Sequence, residues 1–159
     1  MSMAKLERLT NDVKNYNEFL TNGQFMREVL KATENKILAW NADAQLYEQG
    51  VNALGVSIDS YKPYTELTIE IKKEKGQPYD RVTLRDTGDF EWAFYLQIDD
   101  DRFTIYSKDP KTEKLVKKYG KNIFGLTPEH TTELIWSYIY PYLLKRTKEL
   151  TQWILSAYH

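Results

Sequence analysis

The sequence predicts an α+β fold: long N-terminal helices, a small antiparallel sheet with a hairpin near 90–107, and a helical C-terminus. Three observations carry this. Leu6, Leu9, Val13, Tyr16 and Leu20 recur at steps of 3, 4, 3 and 4, which puts them on one helical face over residues 3–20. Asp99-Asp100-Asp101 separates two runs rich in aromatic and β-branched residues, 90–98 and 102–107, as a hairpin turn would. Thr127-Pro128-Glu129 opens the last helical stretch with a capping hydroxyl, a proline at the first helical position and an acid at the positive end of the dipole. With 159 residues and 42% hydrophobic content, one domain over 1–159 is expected: helical 3–53, mixed core 56–126, helical tail 127–158.

Thr21 and Gln24 fit a capping box that restarts the chain after Asn22-Gly23. Phe25, Val29, Ile37, Trp40, Ala44, Tyr47 and Val51 extend a second helix to about Asn52, with an interruption near Thr33–Asn35 and Gly50 and Gly55 ending it. Pro63 keeps Lys62 out of helical geometry, so 56–64 reads as a loop with an extended piece. Thr65 to Lys75 leans to helix, and Gly76-Gln77-Pro78 is a turn. Arg81–Arg85 alternates as a short strand, and Phe90, Trp92 and Phe94 alternate onto one sheet face after a Thr87-Gly88 turn in which glycine takes positive φ. Pro110 to Tyr119 reads as a basic helix closed by Gly120, and Pro141 should kink or split the last helix.

The chain has no cysteine, which excludes disulfides, thiolate metal sites and cysteine nucleophiles, and only two histidines, His130 and His159. His130 is expected at the surface of an N-terminal helical turn. No serine lies in a nucleophile elbow and no glycine-rich phosphate loop is present, so no catalytic, cofactor or metal residue is assigned. Asp86, Asp89 and Glu91 near Asp99–Asp101 would suit acid–base or metal chemistry, or simply a solvated turn. The N-terminus is too polar for a signal peptide, and no apolar run approaches the ~20 residues of a membrane span. Synthesis in a cytoplasm and no membrane contact are expected.

Net charge is −1, but it is segregated: 86–105 carries one basic and six acidic residues, and 106–121 carries six and two. Two solvated faces, or complementary surfaces of neighbouring subunits, would each produce this pattern. Lys111, Lys114, Lys118 and Lys121 fall at helical steps and could neutralise phosphates, as could a second patch of Lys72, Lys73, Lys75, Arg81 and Arg85. Trp136, Tyr138, Tyr140, Tyr142, Trp153 and Tyr158 crowd the last helices and suit either a core with polar rims or an interface.

Further motifs run through the middle of the chain: Ala44-Gln45-Leu46-Tyr47 with Gly50, Tyr61-Lys62-Pro63-Tyr64-Thr65, Lys75-Gly76, Leu84-Arg85-Asp86-Thr87-Gly88-Asp89-Phe90, and Lys118-Tyr119-Gly120-Lys121-Asn122-Ile123-Phe124-Gly125. Their order resembles the tail-completion and virion-morphogenesis proteins of tailed bacteriophages over about residues 40–126. Ala93 stands where that family usually has a small hydroxyl residue, Phe90 replaces its usual leucine, and the stretch from Thr127 lies outside the pattern.

The resemblance implies a non-enzymatic virion component at the head–tail junction, made in the host cytoplasm. Its partners would be portal, adaptor or tail-tube proteins and copies of itself in a ring. The interface candidates are Lys111, Lys114, Lys118, Lys121, Asp99, Asp100, Asp101, Trp92, Tyr119 and Phe124. The alternative is an accessory module that contacts nucleic acid weakly through the 111–121 lysines.

Overall fold

The computed structural model describes residues 2–100 and 102–158. It is an α+β structure, 66% helical, with one two-stranded antiparallel sheet and a helical C-terminus. Two compact units cut across chain order. The first comprises Met1–Thr33, Ile98–Phe103 and Glu133–His159; the second comprises Glu34–Gln97 and Thr104–Thr132.

In the first unit, Ser2 caps α1 (Met3–Thr21) by accepting from the Lys5 amide at 3.4 Å. Only Phe19 of this helix is buried; Leu6 and Val13 of the apolar stripe remain exposed. The expected capping box does not form. Thr21 is still helical and its hydroxyl donates to Asn17 O, while Asn22 Oδ1 takes the Gln24 amide at 2.9 Å and so starts α2 (Gln24–Ala39). Phe25 packs against Phe19 and Tyr142, at 5.9 and 5.7 Å between ring centres. The Tyr142 hydroxyl donates to Glu28 at 2.7 Å.

α2 does not break at Thr33–Asn35, because the Thr33 hydroxyl satisfies itself on Val29 O within the helix. The helix instead widens into a π-helix over Trp40–Gln49 and stops at Gly50, whose φ of 66° is the left-handed conformation that ends helices. The second unit continues with a 3₁₀ turn (Ile58–Ser60) and α3 (Glu66–Glu74), capped by the Thr65 hydroxyl. Next in the chain come the single-turn α4 (Asp89–Trp92), β1 (Phe94–Asp99), β2 (Arg102–Ser107), whose hairpin end over 98–103 belongs to the first unit, α5 (Thr112–Tyr119) and a 3₁₀ turn (Lys121–Ile123). Ile37, Trp40, Leu46, Ile58, Val82, Phe90, Phe94, Leu96, Ile105 and Ile123 form the core of this unit.

Two expected strands are corrected. Residues 81–85 have extended stretches but no partner strand: the Val82 amide goes to Asp59 Oδ1 at 2.7 Å and the Thr83 amide to the Tyr64 hydroxyl at 3.1 Å. Residues 90–93 are helical, not extended. Gly88, at φ 97°, allows the Trp92 and Ala93 amides to close a helical turn on Gly88 and Asp89. The turn turns Phe90 and Phe94 inward together, edge to face at 5.0 Å, and leaves Trp92 78% exposed. Spacing by four fits a helix as well as an alternating strand, which is why the sequence pattern was ambiguous.

At the C-terminal end, Thr127 accepts from the His130 amide and caps α6 (Pro128–Leu134) as expected. A π-helical turn over Ile135–Ile139 then leads into α7 (Tyr140–Tyr158). Pro141 falls in the first turn of α7, and the widened turn just before it takes the place of a split.

Candidate functional site

The four stripe lysines are all exposed, and none makes an ion pair among the described residues. Only Lys114 and Lys118 lie on α5 itself; Lys111 precedes it and Lys121 follows Gly120. The second basic patch is different. Lys72 is buried, Lys75 is bound to Asp86 at 2.6 Å, and Arg81 is bound to Asp80 and Tyr47 O. Arg85 is bound to Asp43 at 2.7 Å. Those four cations have partners within the fold, while the fifth, Lys73, is exposed and lies over the Tyr79 ring at 4.9 Å.

The acidic segment is largely committed as well. Asp86 is held by Lys75, Glu91 is buried beside Arg85, and Asp100 pairs with Arg27 at 2.6 Å within the first unit. Asp99 ends β1, Asp100 turns with φ 50°, and Asp101 lies outside the described residues. His159 and the side chain of Tyr158 lie outside them too. No metal-ligand group occurs among the described residues.

Tyr119 and Phe124 point to packing rather than to an outer surface. Tyr119 is 3% exposed, and Phe124 packs on Phe90 and Phe94 at 5.9 and 5.4 Å. The segment that follows is fixed by two buried amides on the π-helix, which the sequence reading missed. Asn41 donates to Ile123 O at 3.1 Å and accepts from the Gly125 amide at 3.4 Å. Gln45 donates to Gly125 O and accepts from the Thr127 amide, both at 2.9 Å.

Those two backbone bonds fix the orientation of the Gln45 amide, so its Oε1 is an acceptor. His130 Nδ1, 2.8 Å from that oxygen, must then carry the hydrogen and donate. The ring stacks on Trp40 at 5.3 Å. His130 is thus buried in a structural network, not exposed on a turn.

Glu91 and Arg85 form a polar cluster in the second unit that is not fully satisfied. Neither carboxylate oxygen has a hydrogen-bond partner among the described residues; Arg85 Nε lies 3.4 Å away. Burial pushes the Glu91 carboxyl above its usual range, only partly countered by Arg85.

Two of the open surfaces carry apolar side chains beside charged ones. On the first unit, Trp136, Tyr140 and Leu144 follow at steps of four and are all exposed, with the Trp136 and Tyr140 rings packed edge to face at 5.4 Å. Pro141, Leu144, Lys145, Lys148, Glu149 and Gln152 line a shallow groove beside them. In the second unit, a cavity of about 410 Å³ opens between α3, the 82–86 segment and α5. Thr68, Ile71, Lys72, Leu84, Leu115 and Tyr119 are among its walls. No family model, curated protein or solved structure matches the chain.

Proposed function

We propose that this protein is a non-enzymatic assembly component of a tailed-phage particle, a tail-completion or neck protein at the head–tail junction that works through protein–protein contacts. The observation that carries the reading is the exposed Trp136–Tyr140–Leu144 ridge, since Trp and Tyr at solvent-facing positions are the residues that dominate protein interfaces. The motif order over residues 40–126 supplies the phage context, and the ridge lies beyond it, in the stretch that differs from the family pattern. The unpaired lysines of 111–121 add a basic face for an acidic neighbour. Because Asp86, Glu91 and Asp100 are spent internally, that neighbour is better sought in a portal, adaptor or tail-tube subunit than in this chain's own acidic segment. Copies arranged as a ring would use a head-to-tail contact.

A second reading, weak nucleic-acid contact, is favoured by the same exposed lysines. Among the described residues no helix is long and apolar enough to cross a membrane. Quantitative mass spectrometry of density-purified particles tests the first reading, with peptides of this chain scored against portal peptides. A whole-number ratio to the portal ring supports a junction role. Absence from particles overturns it, and DNA affinity that falls steeply with salt would then favour the second reading.

A further inference from the structure

The cavity of the second unit has the features of a built site rather than of a packing defect. Its apolar walls are Ile71, Val82, Leu84 and Leu115, with the Tyr64 and Tyr119 rings. Tyr119 is 3% exposed as a residue, and its hydroxyl, which no protein group in the described residues binds, is not sealed from solvent: it is open to the cavity that the ring lines. A hydroxyl in that position is free to exchange water for a ligand atom. By contrast, the Tyr64 hydroxyl on the same wall accepts from the Thr83 amide at 3.1 Å.

A second polar group on this wall, the Lys72 ammonium, has one donor left over and only a shared carboxylate, Asp86, acting on it through space. Lys72 is 6% exposed, and its ammonium donates to Gln77 Oε1 at 3.0 Å and to Arg85 O at 2.7 Å, with the Tyr64 ring centre 5.2 Å away. All of these partners are neutral. A buried cation usually has a carboxylate in contact; the nearest acid on this wall, Asp86, is engaged by Lys75 at 2.6 Å. The wall between them is held in an uncommon geometry, since Leu84 sits at φ 60°, where a leucine is rarely found without a reason.

We propose that this cavity binds a small organic carboxylate with an apolar body, the body lying between Ile71, Leu84 and Leu115, an acceptor oxygen taking the Tyr119 hydroxyl, and the negative charge compensating Lys72. The volume falls in the range of small-molecule pockets, and a mostly apolar wall with a few convergent polar groups is what such sites show. The site is independent of the C-terminal ridge, so it stands or falls apart from the assembly reading.

The test is a titration of the ¹⁵N-labelled protein with 2-naphthoate, followed by amide chemical shifts, beside the uncharged 2-naphthylmethanol and the cationic 2-naphthylmethylamine. Saturable shifts confined to residues 64–86 and 115–120 are expected for the carboxylate, with the alcohol about tenfold weaker and the amine weaker still. Tyr119→Phe removes only the unpartnered hydroxyl, so its spectrum should stay folded while carboxylate affinity falls about fivefold to tenfold. Leu115→Trp, which fills the cavity from a half-buried helical position, should abolish the shifts. No saturation at millimolar carboxylate, equal binding of the three probes, shifts mapping elsewhere, or unchanged affinity in Tyr119→Phe would each overturn the proposal.

Discussion

Glu91 shows what a single buried carboxylate does to the stability of this fold. Its pKa is raised by burial, so between the ordinary carboxyl value and the raised one the folded chain binds more protons than the unfolded chain. Stability contributed by Glu91 is therefore present at low pH and is lost as pH rises through the raised value. Asp86 and Glu28 act in the opposite sense. Lys75 lowers the first and the Tyr142 hydroxyl lowers the second, so their contributions are lost as pH falls through those depressed values. Glu91→Gln removes only the first effect. Arg85 keeps Asp43 at 2.7 Å, so no buried cation is stranded. The variant is expected to melt about 2–4 °C higher than the parent near pH 7, the equivalent of about 1 kcal/mol, and at the same temperature near pH 4. A lower melting temperature at pH 7 would mean that the Arg85 contact at 3.4 Å outweighs the desolvation cost. Scanning calorimetry across pH reads both limbs.

At the scale of elements, the π-helix of Trp40–Gln49 is the part that organises the second unit. It presents Asn41 and Gln45 to the backbone of 123–127, so a loop with no strand partner still has four of its backbone groups hydrogen-bonded to buried side chains. Gln45→Leu keeps the size but leaves the Gly125 carbonyl and the Thr127 amide unpaired, and leaves His130 Nδ1 only its longer contact with the Thr127 hydroxyl at 3.3 Å. A loss of about 3 kcal/mol is expected, lowering the melting temperature by roughly 6–12 °C, whereas an exposed control such as Gln152→Leu should stay within about 1 °C. This network was not legible in the sequence, because Gln45 and His130 are 85 positions apart and a lone histidine in a first turn reads locally as surface. Locally encoded features were legible. Thr65 and Thr127 each cap a helix start three residues ahead, and Gly50 ends one. The failures came where one pattern serves two structures: Phe90, Trp92 and Phe94 alternate like a strand, but the four-residue spacing of the two phenylalanines is the one that became buried. Arg81–Arg85 alternates too, yet a strand needs a neighbour, and side chains of Asp59 and Tyr64 took its amides instead.

For the whole molecule, the interface candidates divide by what the fold does with each side chain. Tyr119 and Phe124 are consumed inside the second unit, and the aspartate turn is partly tied to Arg27 in the first. The lysines of 111–121, Trp92 and the Trp136–Tyr140–Leu144 ridge remain available to other molecules. Sequence composition placed aromatics in the last helices without telling which would face outward, because core and interface draw on the same residue types. A stable interface buries about 1,200–2,000 Å² in all, and a few aromatic anchors carry most of its energy. Trp136→Ser combined with Leu144→Ser tests this directly. Both side chains are exposed, so melting should shift by no more than about 2 °C, while association with the partner should weaken at least about thirtyfold if each anchor contributes more than about 1 kcal/mol. Incorporation into particles and sedimentation velocity over a concentration series read the two forms of assembly separately. Loss of incorporation with unchanged self-association would assign the ridge to a different virion protein, and loss of both would assign it to the contact between copies. Normal incorporation and association in the double variant would remove the ridge from the argument and leave the basic face of 111–121 to carry the assembly reading.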